Sequence, residues 1–276
     1  MKADLHIHST YSDGTLPPKE IIPLAATKGL SILGVTDHDT ANHFPECIKA
    51  GLKSGLTVIP GVEFSTGFKD FELHIIGYTP DFRNRELRAH LSRVRGRRLA
   101  RAQEILARLA SRNVNIPEAE IDLTPGKTTV GRLIIARLLF NHGYVRTIDE
   151  AFDRYLGTNG SAYVPYELTD ACEVVELINR SGGVSVFAHP SRLELETACD
   201  SLCEAGLEGI EAWRPAITRR LAGTIKKKAS QHNLVLTGGS DWHHDGGWRE
   251  LGDFYVDQER IADFLNLVAE KSTPGQ

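Results

Sequence analysis

Ala3-Asp4-Leu5-His6-Ile7-His8 is a short apolar run interrupted by acid and histidine, and Ile32-Leu33-Gly34-Val35-Thr36-Asp37-His38-Asp39 repeats the design. Ala3–Ile7 and Ile32–Thr36 read as strands. Between them a turn at Ser12-Asp13-Gly14 leads to a helix that opens at Pro17-Pro18. That helix carries Ile21, Ile22, Leu24 and Ala25 on one face and ends at Gly29. Further along come a helix over 44–54, a third strand Thr57–Val62 and a fourth strand Glu72–Tyr78. Strands separated by helices of about a dozen residues predict crossover units and a parallel sheet.

The middle of the chain changes character. Residues 84–112 form one long helical pattern with Leu87, Leu91, Val94, Ala102, Ile105 and Leu109 on its inward side. Helical segments follow near 130–142 and 147–156, with only a short strand predicted at Ala162-Tyr163-Val164. The β/α rhythm then resumes: a helix over 170–181 ending at Gly182-Gly183, a strand Val184–Ala188 and a helix over 193–205. A strand Gly209–Trp213, a helix to about 231, a strand Leu234–Gly238 and a helix near 260–270 complete the chain. Seven or so strands of this kind predict an α/β barrel or an incomplete barrel. Its parts would be 1–83 and 165–276, with 84–164 as an inserted helical cap.

A length of 276 residues suits one large domain, or one domain with an insertion, and buries a sizeable core without staples. A formal charge of −4 argues against a surface that coats nucleic acid generally, while leaving room for a local basic patch. Cys47, Cys172, Cys199 and Cys203 match no structural zinc spacing and are too few for a disulfide framework in a chain this long. Reduced thiols and a cytoplasmic location are the expectation. The N-terminus shows no apolar leader, and no run approaches the ~18 apolar residues that would suggest a membrane span. No membrane association is expected, and no protein partner is inferred.

Histidines and acids gather where the strands end. His6 and His8 lie two apart and share a face of their strand, with Asp13 in the turn that follows. Asp37-His38-Asp39 ends the second strand, Glu63 the third, and His74 lies in the fourth. His189 follows the strand after the insertion, and Asp241 and His243 follow the late strand. In parallel α/β folds this rim is where ligands and catalytic groups collect. Imidazole beside carboxylate without thiolate suits Zn, Mn, Fe or Ni better than Ca or Mg. The candidates exceed the four ligands of one tetrahedral ion, so more than one ion is implied. Ions about 3.5–4 Å apart can activate a bridging water, neutralise phosphate oxygens and stabilise a leaving oxygen, which is what phosphoester hydrolysis requires.

Taken in order, His6-Ile7-His8 with Asp13, Thr36-Asp37-His38-Asp39, Pro60-Gly61-Val62-Glu63, His74, Ala188-His189-Pro190 and Gly239-Ser240-Asp241-Trp242-His243 resemble the polymerase and histidinol phosphatase (PHP) family. The resemblance runs over nearly the whole chain. It implies a distorted (β/α)7 barrel holding three divalent ions, manganese first, with iron or zinc as alternatives. His6, His8, Glu63 and Asp241 would hold one ion; Asp13, His38 and His243 a second; Glu63, His74 and His189 the third. His243 is preferred over its neighbour His244. Asp37 would orient an imidazole, as such sites normally require, and Asp37 or His189 would assist proton transfer. The insertion resembles that of a bacterial subgroup that removes the 3′-phosphate from nucleoside 3′,5′-bisphosphates or trims short RNAs from the 5′ end. The expected activity is therefore attack of a metal-bridging hydroxide on a nucleotide phosphoester, foremost that 3′-phosphate. A 5′-3′ exoribonuclease, a phosphatase of a small metabolite such as histidinol phosphate, and a non-catalytic module are the rivals. Relatives often carry a histidine after the Gly209-Ile210-Glu211 strand; here Ala212-Trp213-Arg214-Pro215 follows.

Residues 83–112 hold ten arginines against Glu86 and Glu104 only. Most fit a solvated helix face. A planar guanidinium also matches phosphate, so Arg98, Arg101 and Arg132 are candidates for gripping the phosphate of a small nucleotide or short oligonucleotide. Lys127 is a weaker one. Tyr163 and Trp213 could stack on a base, but a place in the core is the preferred reading of both.

Overall fold

The structure, a computed structural model, describes residues 1–117, 120–121, 128–244 and 250–272. In chain order the elements begin β1 (Lys2–Ile7), α1 (Pro18–Thr27), β2 (Ile32–Val35), α2 (Phe44–Ser54), β3 (Thr57–Phe68) and β4 (Phe71–Tyr78). Then come α3 (Arg85–Ala110), α4 (Arg132–Asn141) and α5 (Ile148–Ala151), the last running into one π-helical turn at Phe152–Leu156. The second half comprises β5 (Thr169–Asp170), α6 (Ala171–Arg180), β6 (Val184–Phe187), α7 (Arg192–Glu204), β7 (Gly209–Trp213) and α8 (Arg219–His232). It ends with β8 (Val235–Gly238), β9 (Val256–Asp257), a 3₁₀ turn at Gln258–Ile261 and α9 (Ala262–Ser272).

Hydrogen bonding orders the strands β8-β7-β6-β4-β3-β2-β1-β9, with β5 attached to β3. Pairs β1–β2, β2–β3, β6–β7 and β7–β8 are parallel. β4 is antiparallel to both of its neighbours, so the sheet is mixed and the expectation of an all-parallel barrel is corrected here. The physical reason lies in the connection. Phe68 and Phe71 face each other across a tight turn in which Lys69 takes a left-handed conformation (φ 53°), and no helix crosses over. β3 also runs on past the predicted Val62 to Phe68.

The barrel closes where the segment after β8 meets β1. Ile7 and Trp242 form a parallel bridge. The amides of His8 and Asp241 donate to the carbonyls of Trp242 and His6, each at 2.9 Å. This approach requires Gly239, because a β-carbon there would collide with the backbone and Cβ of His6. Inside, the Tyr78 hydroxyl donates to the Leu5 carbonyl at 2.8 Å.

Leu5, Ile76, Tyr78, Val184 and Val186 pack inside the barrel with Phe264 of α9. α1 and α2 cover one side through Ile21, Ile22, Cys47 and Ala50. α6, α7 and α8 cover the other through Val175, Ile178, Leu195, Leu202 and Ile225. Each such aliphatic side chain contributes roughly 1.5–3 kcal/mol on burial. Described residues between Ala102 and Ala162 build a separate core that includes Ile105, Leu109, Ile135, Leu139 and Leu156. α3 belongs to both: Leu87 and Leu91 enter the barrel-side core, and Ala102, Ile105 and Leu109 the helical one. A division at residue 84 therefore falls just before a helix that the two bodies share. Ala162-Tyr163-Val164 is not a strand. Its amides at 162 and 163 are used in turns, donating to the carbonyls of Tyr155 and Gly160. All four cysteines are free. Among the described residues no helix is long and apolar enough to cross a membrane.

Candidate metal centre and active site

The strand ends bring all nine predicted ligand residues to one rim. β1 delivers His6 and, one residue past its end, His8; both are fully buried. The turn at Ser9–Gly14 is closed by the amides of Ser12 and Gly14 donating to the Ser9 carbonyl at 3.0 Å, and it folds Asp13 back onto His8. His38 leaves β2 and bridges to Glu63 of β3. His74 reaches the same rim because β4 runs backwards, which puts its first half opposite Ser65 of β3. His189 follows β6, and Asp241 and His243 follow β8.

Glu63 is the hub. Its Oε2 lies 3.2 Å from His6 Nε2, 3.1 Å from His8 Nε2 and 3.3 Å from His38 Nδ1. Its Oε1 lies 2.9 Å from both His74 Nδ1 and His189 Nε2, which are themselves 3.2 Å apart. Asp241 Oδ1 sits 3.1 Å from His8 Nε2, and Asp13 Oδ1 3.4 Å from His243 Nε2. Ligand atoms within 4.8 Å of one another form three overlapping sets: His6/His8/Glu63/Asp241, His8/Asp13/His38/His243 and His38/Glu63/His74. The first matches the expected grouping. The second adds His8 to it. In the third His38 appears where His189 was expected, although His189 is within contact of both Glu63 and His74. His244 falls in none of the sets.

Electrostatics explain why this cluster calls for cations. Burial disfavours a charge on His8, but the carboxylates of Asp241, Glu63 and Asp13 outweigh it and push the imidazole up to about 10. For His38 burial prevails over Glu63 and Asp13, and the imidazole falls to about 4. Burial opposes ionisation of Glu63, yet His6, His38 and His74 hold it well below the ordinary carboxylate range. Even so, His6 Nδ1, His38 Nδ1 and Glu63 Oε2 are buried without a hydrogen-bond partner. Five imidazoles around one carboxylate do not carry the protons needed to satisfy every contact, whereas divalent ions would. Nitrogen and oxygen donors without thiolate fit borderline transition ions.

Behind the ligand positions lies a second layer that sequence reading largely missed. Glu211 of β7 is buried, with Oε1 3.5 Å from His6 Nδ1, and its Oε2 accepts from the His189 amide at 2.7 Å. Asp37 accepts from the Ser9 amide (2.7 Å), the Ser9 hydroxyl (2.6 Å) and the Ser12 hydroxyl (2.7 Å), and lies 3.3 Å from His43 Nδ1. The imidazole next to Asp37 is thus His43. Asp37 reaches His8 only through Ser12, whose hydroxyl is 3.4 Å from His8 Nδ1. The signal for Glu211 was a lone acid inside an apolar strand. Asp39, His189 and Asp241 all adopt left-handed backbone (φ 52°, 30° and 54°). Such conformations cost roughly 1–3 kcal/mol each and persist where surroundings fix them. Here each amide is held, by the Glu63 carbonyl, the Glu211 carboxylate and the His6 carbonyl respectively.

The three predicted arginines line a single cavity of about 150 Å³ over the rim, with Asp13, His38 and His74 also in its lining. They differ in what they already hold. Arg98 forms an ion pair with buried Asp39 (Nε 2.7 Å, Nη2 2.6 Å) and bonds Ser65, a partnership that sequence reading did not foresee. Arg101 donates Nε–H to the Val164 carbonyl at 3.0 Å and lies over the Tyr166 ring. Arg132 is 3.2 Å from Glu72 and lies over Phe152. Burial, then Arg132, pull the Arg101 guanidinium down to about 10, with Arg98 adding to the effect. Arginines that repel one another in this way would welcome an anion between them. From the helical body, Arg137 donates to the Asp13 carbonyl and the Thr129 amide to the Tyr11 carbonyl, tying that body to the Asp13 turn. Trp213 packs against the cores, while Tyr163 is half-buried beside Arg101. Lys127 lies outside the described residues.

A nearly closed α/β barrel with a histidine–carboxylate cluster at one rim and arginines above it defines the class: a metal-dependent hydrolase of phosphoester bonds. Residues 4–161 match the PHP domain, and the chain belongs to that family. It is 33% identical over 258 residues to a 5′-3′ exoribonuclease of Haemophilus influenzae, covering 91% of this chain and 93% of the relative. It is 30% identical over 256 residues to a 3′,5′-nucleoside bisphosphate phosphatase of Chromobacterium violaceum, covering 90% of each. A solved structure from Bifidobacterium adolescentis, provisionally assigned as a metal-dependent phosphoesterase, superposes with a TM-score of 0.86 at 28% identity over 96% of both chains.

Proposed function

We propose that this enzyme hydrolyses a phosphoester on a nucleotide that carries a second phosphate, foremost the 3′-phosphate of nucleoside 3′,5′-bisphosphates. One observation carries the reading: Arg98, Arg101 and Arg132 line the same small cavity as Asp13, His38 and His74 of the histidine–carboxylate cluster. One phosphate would lie at the cluster while its neighbour meets the guanidinium groups. The relatives named a 3′,5′-nucleoside bisphosphate phosphatase and a 5′-3′ exoribonuclease support a nucleotide substrate with more than one phosphate. The helical segment 84–164 serves as the cap that carries Arg98, Arg101 and Arg132 over the rim.

We assign His6, His8, Glu63 and Asp241 to one ion, Asp13, His38 and His243 to a second, and Glu63, His74 and His189 to a third, manganese being the first choice of metal. Such ions supply polarisation of the phosphoryl oxygens and a water acidic enough to attack at neutral pH. The chain's own residues do the rest. Glu63 sets the spacing of the imidazoles by meeting five of them. Glu211 and the Asp37–Ser12 relay fix the orientations of His6, His189 and His8. Proton transfer would be assisted by Asp37 or by His189, the latter partly buried against Glu63. Arg101 and Arg132 bind the neighbouring phosphate, whereas Arg98 holds the rim loop through Asp39 and offers its remaining edge to substrate.

Steady-state kinetics of manganese-loaded protein on adenosine 3′,5′-bisphosphate, adenosine 5′-monophosphate and histidinol phosphate test this reading. A kcat/KM highest on the bisphosphate supports it. Preference for histidinol phosphate contradicts it.

A further inference from the structure

The amino-terminal half of α3 borders an open groove of about 490 Å³ whose lining includes Arg83, Arg85, Arg88 and Arg95 and no carboxylate. Its floor is apolar, formed by Ala41, Phe82 and Leu91. Two neighbouring grooves behave differently. The one on the other side of α3 sets Arg85, Arg93 and Arg180 against Glu86, Glu173 and Glu176. The one beside the β3–β4 turn sets Lys69, Arg101 and Arg132 against Asp70, Glu72 and Asp170. The first is balanced and offers a polyanion no net attraction, while the second shares Arg101 and Arg132 with the catalytic cavity and sets three carboxylates beside them.

The acid-free groove is different in detail as well. Arg83 pairs with Asp81 at 3.2 Å, but among the described residues Arg85, Arg88 and Arg95 have no ion-pair partner. Arg95 is half-buried and its Nε is buried with no hydrogen-bond acceptor. A partly desolvated guanidinium with no ion-pair partner is costly, and a phosphate at its exposed edge would supply the counter-charge. The groove and the catalytic cavity share no lining residue, but their linings are neighbours along the chain. Ala41 and Asn42 follow the His38–Asp39 loop directly, and Arg95 is about one helical turn from Arg98. Arg88 and Arg95, seven residues apart, are spaced by roughly 10 Å along the helix. A line of cations of that length suits successive phosphates better than one small anion.

We propose that this groove binds the phosphodiester backbone of a single-stranded oligonucleotide whose end occupies the catalytic cavity. The inference rests on the nucleotide reading of that cavity and extends it to longer substrates. Phe82, half-buried and tilted against Phe44 at 4.2 Å between ring centres, leaves an apolar surface for a base.

The test uses manganese-loaded full chain and a short single-stranded oligonucleotide with 2′-O-methyl phosphorothioate linkages, which resists cleavage. Affinity is measured by fluorescence anisotropy over a range of salt. Two variants are compared with wild type: Arg88→Gln/Arg95→Gln, and Arg83→Gln/Arg88→Gln, which alters exposed positions only. Loss of two phosphate contacts should weaken binding roughly tenfold or more and make the log–log salt slope shallower by roughly 1.4. kcat/KM on adenosine 3′,5′-bisphosphate should stay within about twofold of wild type. Unchanged oligonucleotide affinity in both variants overturns the proposal, as does an equal loss on the bisphosphate or complete competition by millimolar inorganic phosphate. Arginine-dependent binding by a protein that hydrolyses no nucleotide would leave the groove standing and sink the catalytic reading instead.

Discussion

Arg98→Ala separates a structural arginine from one that only meets substrate. The side chain is 13% exposed and its partner Asp39 is fully buried, with Nε and Nη2 both within 2.7 Å of one carboxylate oxygen. The other oxygen accepts from the Ser65 amide at 3.0 Å, so Asp39 is fixed in place and has no route to water. Removing the guanidinium strands a buried carboxylate, at a cost of about 3–5 kcal/mol. At about 2–4 °C per kcal/mol for a domain of this size class, the melting temperature should fall by roughly 6–20 °C. Circular-dichroism melts of the metal-loaded protein read this directly. Asp39→Asn in the same chain removes the stranded charge and should restore about half of the loss or more. An Arg98→Ala protein that melts within about 2 °C of wild type refutes the reasoning and makes Arg98 a substrate residue alone.

Other expectations concern the metal cluster and the cavity. Glu63→Gln keeps the shape of the hub and removes its charge, so bound manganese measured by mass spectrometry should fall below half of wild type; full retention would show that Glu63 is not a shared ligand. Arg132→Ala should raise KM for adenosine 3′,5′-bisphosphate about 10–100-fold, the worth of one charged hydrogen bond, while leaving metal content intact; equal loss of metal and activity would contradict its role. In the metal-free protein His8 is raised to about 10, above its unfolded value of about 6.5. The folded state then binds more protons between those limits, so the stabilisation that His8 contributes is fully present below about 6.5 and is lost as pH rises toward about 10. Metal uptake at pH 7 should accordingly release protons, read as a dependence of the calorimetric heat on buffer ionisation. No proton release would place the histidines in the neutral state already.

Much of this was legible in the sequence because the chemistry sits on residue types that keep their meaning in any fold. Histidine and carboxylate at the ends of Ala3–Ile7, Ile32–Thr36 and Val184–Ala188 stand out against apolar strands whatever the topology. The direction of β4 was not read, although a clue was available. Only nine residues, 63–71, separated the two predicted strands, fewer than the dozen or so that a parallel crossover needs. β5 and β9, two residues each, are too short for any periodicity. The Asp39–Arg98 pair joins positions 59 apart, one after β2 and one on α3, and nothing in either local sequence announces the other. Glu211 was visible as an acid in the strand Gly209–Trp213, but its grip on His6 and on the His189 amide depends on β6 and β7 being neighbours. Asp37 drew attention as a rim carboxylate, whereas the folding of the Ser9–Gly14 turn is what surrounds it with hydroxyls.

Anomalous diffraction at the manganese edge, from crystals of the manganese-loaded protein, bears most directly on whether these distant residues share several cations. We expect three peaks among the nine side chains running from His6 to His243, about 3.5–4 Å apart where two ions share Glu63. Density for no ion in that cluster, or phosphoester turnover that persists undiminished after metal is stripped by a chelator, would contradict it.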